Sequence, residues 1–237
     1  MMSKWKFVWN RHSADSNIIE NGTDKEIFLE LKRAIGNDVI GGGITYDGLI
    51  DEYVKLKARL CKKSCKLASV YEVGCGSGAN LWLFEKDGIK TGGIDYSQSL
   101  IDNALEVCSS SDILCDEAIN IPVLPLYDAV FSMRVFSYFD NTRYAEEVLN
   151  NMCQKAKFAV GLIDIHDAEK EDEFLKFRRK NIDNYDEKYA GLEKLFYKRE
   201  FFTKIARQNN MEIEFCCQDT KGYWNNEYGY NVFLYHK

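Results

Sequence analysis

Proline is scarce in this chain of 237 residues: there are 2, too few for a stiff interdomain linker. A single core is therefore expected, of a size that 237 residues can readily bury. Long hydrophobic runs are missing too. The best of them, such as Ala129 to Met133 with its Ser132, fall far short of the roughly 20 residues a membrane span needs. The first residues, Met-Met-Ser-Lys-Trp-Lys-Phe-Val-Trp-Asn-Arg, lack the apolar stretch and small-residue cleavage site of a signal peptide, so a cytoplasmic location is expected. No Cys-x-x-Cys pair occurs among the 8 cysteines: Cys61 and Cys65 are four apart, and Cys216 and Cys217 are adjacent. That spacing excludes a zinc site and a disulfide framework, and reduced thiols with no bound metal are the simplest expectation. Positive charge is in deficit, with 31 Lys plus Arg against 37 Asp plus Glu, and a net charge of -6 disfavours a nucleic-acid partner. What is present, 46% hydrophobic, 29% charged and 14% aromatic residues, is the profile of a folded globular chain.

The first 66 residues read as helices and loops. Apolar positions Ile27, Phe28, Leu31, Ala34 and Ile35 recur at helical spacing, with Thr23 or Asp24 as cap. Gly36-Asn37-Asp38 ends that helix, Gly41-Gly42-Gly43 makes a flexible loop, and a second helix runs from Tyr46 to Leu60. This stretch is expected to form a cap within the same domain. From Leu67 the pattern alternates between strand and helix, which implies a parallel sheet. Strands are expected at 67–73, 90–95, 112–115, 127–133 and 158–165, with helices at 79–87, 97–108 and 142–155. Asp167 to Gly191 carries no strand signal. A helix at 198–208 then leads into two closing strands, 212–218 and 231–235, expected as an antiparallel hairpin. The core is thus 67–237, with an insertion at about 167–197.

Chemistry concentrates in Glu72-Val73-Gly74-Cys75-Gly76-Ser77-Gly78-Ala79, a glycine-rich turn between a strand and a helix. Gly74, Gly76 and Gly78 remove Cβ atoms where a ligand would lie against the backbone, and the helix that follows offers free N–H groups. The same letters satisfy Gly-x-Gly-x-x-Ala, so the glycines alone do not separate a nicotinamide cofactor from S-adenosylmethionine. Glu72 suits the ammonium of a methionine moiety and would be unhelpful beside a pyrophosphate. Asp95, in Gly93-Ile94-Asp95-Tyr96-Ser97, is positioned for ribose hydroxyls with either cofactor. After the third strand, Glu117 could accept from an adenine amino group and Ile119 could cover the base, with Ala118 between them.

In these motifs the chain resembles the class I S-adenosylmethionine-dependent methyltransferases. Residues 72–78 match the superfamily's first motif, 93–97 its second and Tyr127-Asp128-Ala129-Val130-Phe131-Ser132 its fourth-strand motif, while Asp116-Glu117-Ala118 is a looser match to its adenine motif. The resemblance covers about residues 66 to 237. It implies an α/β Rossmann-like sheet of parallel strands with a C-terminal antiparallel hairpin. It also implies a cofactor site at Glu72, Gly74, Cys75, Gly76, Gly78, Asp95, Tyr96, Ser97, Glu117, Ala118, Ile119 and Ser132, with S-adenosylhomocysteine as product. The flanks, including Gly41-Gly42-Gly43-Ile44-Thr45, Tyr189 to Tyr197 and Gly222-Tyr223, are similar to small methyltransferases of bacterial capsule and O-antigen clusters. That similarity implies an oxygen or nitrogen of a sugar, a sugar nucleotide or another small polar precursor as acceptor. An NAD(P)-dependent oxidoreductase, a noncatalytic S-adenosylmethionine-binding partner and a macromolecular methyltransferase are the competing readings.

A hydroxyl acceptor would need a base near the ends of the fourth and fifth strands. His166 and Asp164, in Ile163-Asp164-Ile165-His166-Asp167, stand there, with Tyr46 and His12 as candidates across the cap. Asp167 reads as a helix cap, and Met133, Phe136 and Tyr138 could line an acceptor pocket or the core. Arg178-Arg179-Lys180 reads as a solvated helix end or as an anion-binding lid for a phosphorylated acceptor.

Overall fold

The computed structural model describes residues 4–36, 43–64, 66–110 and 112–237. Gly41, Gly42 and Cys65 lie outside the described residues. Four helices open the chain: α1 (Lys4–Trp9), α2 (Ser16–Asn21), α3 (Asp24–Ala34) and α4 (Tyr46–Leu60). Helix α3 starts where its sequence says it should. The Thr23 side chain accepts from Glu26 N while the Glu26 carboxylate accepts from Thr23 N, so two otherwise orphaned N–H groups are satisfied together. Thr45 does the same service for α4, accepting from Gly48 N.

Strands β1 (Ser69–Val73), β2 (Lys90–Asp95), β3 (Ile113–Cys115), β4 (Tyr127–Met133), β5 (Ala156–His166), β6 (Met211–Cys217) and β7 (Gly229–His236) form one sheet in the order β3-β2-β1-β4-β5-β7-β6. The first five run parallel. The last two are antiparallel: β7 pairs with both β5 and β6 and so lies between them. Helices α5 (Ala79–Lys86), α6 (Gln98–Val107), α7 (Thr142–Lys155) and α10 (Arg199–Gln208) flank the sheet. Between β5 and α10 lie α8 (Glu171–Asn181) and α9 (Tyr185–Lys188), the segment without a strand signal.

Every residue of β1 and of β4 is buried, as a central strand covered on both faces requires. Side chains alternate between the faces: Val130 joins the cluster under α7 and α10, whereas Ala129 and Phe131 join the one under α4. Phe28 and Leu31 of α3 share a third cluster with Leu81, Trp82, Leu100 and Ile113, so the opening helices pack into the sheet's own core. Among the described residues no helix is long and apolar enough to cross a membrane.

Two backbone irregularities stand at the carboxyl ends of β4 and β5. Arg134, directly after β4, has φ +58°, and Asp164 has φ +62° where the β5–β7 register breaks between Leu162 and Ile165. A bulge of this kind re-aims side chains. Here it turns Asp164 and His166 toward the crevice where the strand order reverses between β1 and β4, the place where open α/β sheets bind ligands.

Candidate active site

A cavity of about 1500 Å³, counted out to its open mouth, runs along the carboxyl ends of β1, β2, β4 and β5. One end belongs to the glycine turn. Gly74 and Gly76 line it with φ of +76° and +51°, a region that side chains with a Cβ rarely adopt. A Cβ on Gly74 would stand 2.3 Å from Val135 Cγ2, and one on Gly76 2.6 Å from Ile35 Cγ2. Glu72 lies buried beside them. Its Oε1 accepts from Asn80 Nδ2 at 2.6 Å, while Oε2 is buried with no hydrogen-bond partner among the described residues. Burial pushes the Glu72 carboxyl up to about 8. Asp95 is locked by backbone donors, with Oδ2 accepting from Gly76 N at 3.0 Å and Oδ1 from Ser97 N at 2.9 Å. Burial raises this carboxyl above its ordinary value, and each oxygen keeps a second lone pair for a ligand. Cys75, Tyr96, Glu117 and Ala118 complete this wall, with Glu117 held by Lys6 Nζ at 2.7 Å.

The other end is assembled from distant segments. His166 is buried between the rings of Phe174 and Phe196, 4.8 and 5.2 Å between centroids, and its Nδ1 has no partner among the described residues. Burial, with Lys194 and Arg178 adding positive charge nearby, holds the imidazole well below 6.5, so it is neutral at neutral pH. Trp224 Nε1 and Asn225 Oδ1 are also buried there, with no hydrogen-bond partner among the described residues. Lys194 reaches the same wall, its Nζ 4.4 Å from the centroid of the Tyr138 ring.

Between the two ends sits a charged cluster. Arg134 donates from both terminal nitrogens to Glu52, at 3.0 and 2.6 Å, and stands 3.6 Å from Asp164 Oδ2. Against the penalty of burial, Arg134 holds the Glu52 carboxyl below its ordinary value. Asp164 in turn accepts from Tyr223 Oη and from Asn225 Nδ2, both at 2.6 Å.

Several sequence expectations need correction. Asp164 borders the cavity, but both its oxygens are committed to fixing Tyr223 and Asn225, so it is poorly placed to act as a free base. Tyr46 lies outside the cavity lining: it packs on Phe28, with Lys25 over its ring. His12 hydrogen-bonds Ala34 O through Nδ1 and lies against Trp9. Gly78 serves close helix packing instead of a ligand, since a Cβ there would come within 3.0 Å of Ala104 and 3.2 Å of Cys108. Ser97 Oγ donates to Trp9 O in a part-buried bond and Ser132 Oγ to Val73 O in a buried one, and neither serine is in the lining. Ile119 packs on the core and leaves Ala118 to face the cavity. Phe136 is core, whereas Met133 and Tyr138 line the cavity. The anion-lid reading of Arg178-Arg179-Lys180 fails at its first two members. Arg178 is packed among Phe174, Tyr185, Tyr189 and Trp224, and Arg179 pairs with Asp186. Asp167 does cap, accepting from Glu169 N.

Sequence reasoning missed Lys32, Asn80, Arg134, Lys194 and Trp224-Asn225, all of which line the cavity. Arg134 had a positional signal, the residue straight after a central parallel strand. Asn80 had one as well, directly after the glycine turn and bonded to Glu72 of the strand before it, whereas Lys32, Lys194 and Trp224-Asn225 carry none, because their neighbours are distant in sequence.

Residues 71–157 match a family model described as a methyltransferase domain. No curated protein sequence matches the chain. Among solved structures, the chain is similar to magnesium protoporphyrin IX methyltransferase from Synechocystis PCC 6803 with bound S-adenosylmethionine. That likeness has a TM-score of 0.60 and 16% identity, covering 95% of this chain and 99% of that one. It is also similar to an amino pentose methyltransferase from Micromonospora echinaspora, with a TM-score of 0.59, 14% identity and coverage of 80% and 94%. A third likeness is to a sugar N-methyltransferase from Streptoalloteichus sp ATCC 53650, with a TM-score of 0.60, 11% identity and coverage of 84% and 95%. The matched stretch includes the glycine turn.

Proposed function

We propose that the chain is an S-adenosylmethionine-dependent methyltransferase, as its domain match at residues 71–157 and its fold support, and that it methylates an oxygen or nitrogen of a small polar acceptor, a sugar or a surface-polysaccharide precursor. One observation carries this reading. Five buried polar atoms with no hydrogen-bond partner among the described residues belong to the lining of a single cavity, Glu72 Oε2 at one end, Arg134 Nε between, and His166 Nδ1, Trp224 Nε1 and Asn225 Oδ1 at the other. Buried polar atoms without partners are costly, and ligands that supply the missing bonds are the usual reason for them.

The residues present fit the cofactor. Glu72 Oε2 would take the ammonium of its methionine moiety, Asp95 the ribose hydroxyls, and Glu117 and Ala118 would border the adenine. S-adenosylmethionine supplies an already activated methyl group, so the protein's task is to hold the acceptor in line. At the acceptor end, Phe174 and Trp224 offer flat apolar faces beside hydrogen-bonding atoms, a combination suited to a ring carrying hydroxyl or amino groups. His166, neutral and within this wall, would accept the proton of a hydroxyl acceptor. Asp164 acts through others, positioning Tyr223 and Asn225. The opening helices contribute Trp9, Lys32, Ile35 and Ile44 to the cavity wall, which supports a cap that closes over the donor.

The test is transfer of label from methyl-labelled S-adenosylmethionine to a panel of amino sugars, neutral sugars, nucleotide sugars and short peptides. Labelled sugar, formed with an equal amount of S-adenosylhomocysteine, is the expected result. Label confined to peptides would refute the acceptor class.

A further inference from the structure

We propose that Lys32, in the last turn of α3, binds the carboxylate of the methionine moiety of S-adenosylmethionine, opposite Glu72, which takes its ammonium. The assignment rests on the methyltransferase reading above and goes beyond its motifs, since Lys32 lies in the opening helices, outside the glycine turn and the strand-end motifs. Lys32 is 2% exposed and lines the cavity. Its Nζ donates to the neutral Asn80 Oδ1 at 2.7 Å, and no carboxylate of the described residues lies within ion-pair distance. Glu52, the acidic group whose field acts most on Lys32, is already gripped from two sides by Arg134. Burial accordingly pulls the Lys32 ammonium down to about 8, while burial pushes Glu72 up to about 8.

Asn80 stands between the two, accepting from Lys32 and donating to Glu72 Oε1 at 2.6 Å. One amide thus holds an ammonium with no ion-pair partner among the described residues and a carboxyl oxygen with no hydrogen-bond partner among them side by side on the cavity wall. An α-amino acid head presents the complementary pair, a carboxylate and an ammonium separated by one carbon, and would complete both groups at once. The end of α3 is fixed where this requires: Ser77 Oγ of the glycine turn donates to Leu31 O at 2.7 Å, and Ile35 sits against Gly76.

The experiment compares two probes by calorimetric titration into the full chain. S-adenosylhomocysteine carries the amino-acid head, and 5′-methylthioadenosine keeps the adenosine and thioether without it. Lys32→Met should weaken S-adenosylhomocysteine by at least about tenfold and leave 5′-methylthioadenosine within about twofold, and Lys32→Arg should recover part of the loss. Unaltered 5′-methylthioadenosine binding also certifies that the variant is folded. Equal weakening of both probes, or of neither, overturns the assignment while the methyltransferase reading stands. A wild-type protein that binds neither probe overturns both.

Discussion

The two ends of the cavity are built in different ways. At the donor end, Glu72, Gly74, Gly76 and Asp95 come from two adjacent parallel strands and their turns, and the backbone itself locks Asp95 through Gly76 N and Ser97 N. From the central cluster to the acceptor end, Arg134, Asp164 and His166 of β5, Lys194 and Trp224-Asn225 arrive from four stretches of chain and are held by side chains, with two backbones at positive φ. A site made by local backbone geometry repeats wherever the turn repeats. One made by converging side chains is particular to the chain, and here it is what would select the acceptor.

The sharpest way to break this contrast is to remove the link between the ends. Arg134→Met should cost about 3 kcal/mol in chemical denaturation, because Glu52, 6% exposed, is left without its cation. A loss under about 0.5 kcal/mol, the range of ordinary surface changes, would mean that the cluster does not hold the acceptor end together.

Next in size is the effect at His166. If the acceptor is a hydroxyl, His166→Ala should lower kcat by about a hundredfold with S-adenosylhomocysteine affinity unchanged, since the interaction belongs to the transition state. The environment also fixes the pH dependence. An imidazole held well below 6.5 is already deprotonated at neutrality, so the wild-type kcat should show no imidazole limb between pH 6.5 and about 8. An unperturbed imidazole titrates near neutrality, and burial between Phe174 and Phe196 moves this one down. In stability the sign is fixed as well: the unfolded imidazole takes up a proton as pH falls through 6.5 and the folded one does not, so this group's stabilising contribution is lost below that value. A kcat drop below about threefold would leave the proton to another group or to an amine acceptor needing no base.

How far the sequence could be read follows the same divide. Strands β2 and β4 fall on their expected boundaries, α3 follows its expected cap Thr23 and α4 starts at Tyr46 as expected, because alternation, helical period and capping are local signals. β5 is longer than expected at both ends, since its pairing with β7 carries it through Asp164 to His166 despite the bulge. Glu72 and Asp95 were visible from spacing around the glycine turn. Ser97 and Ser132 have the right spacing and the wrong partners: Trp9 O and Val73 O claim their hydroxyls, which no spacing reveals. Tyr46 and Lys32 make the opposite pair on the cap. The first was expected in the site and packs on Phe28, whereas the second was unmarked and reaches Asn80.

The central claim, that the glycine-turn end holds the donor and the His166 end the acceptor, is met most directly by calorimetric titration of S-adenosylhomocysteine into wild type, Asp95→Ala and His166→Ala. The account predicts tight wild-type binding, at least about tenfold weaker binding in Asp95→Ala from the loss of a charge-assisted bond, and His166→Ala indistinguishable from wild type. Wild-type affinity in a folded Asp95→Ala protein, or equal weakening in both variants, would contradict it.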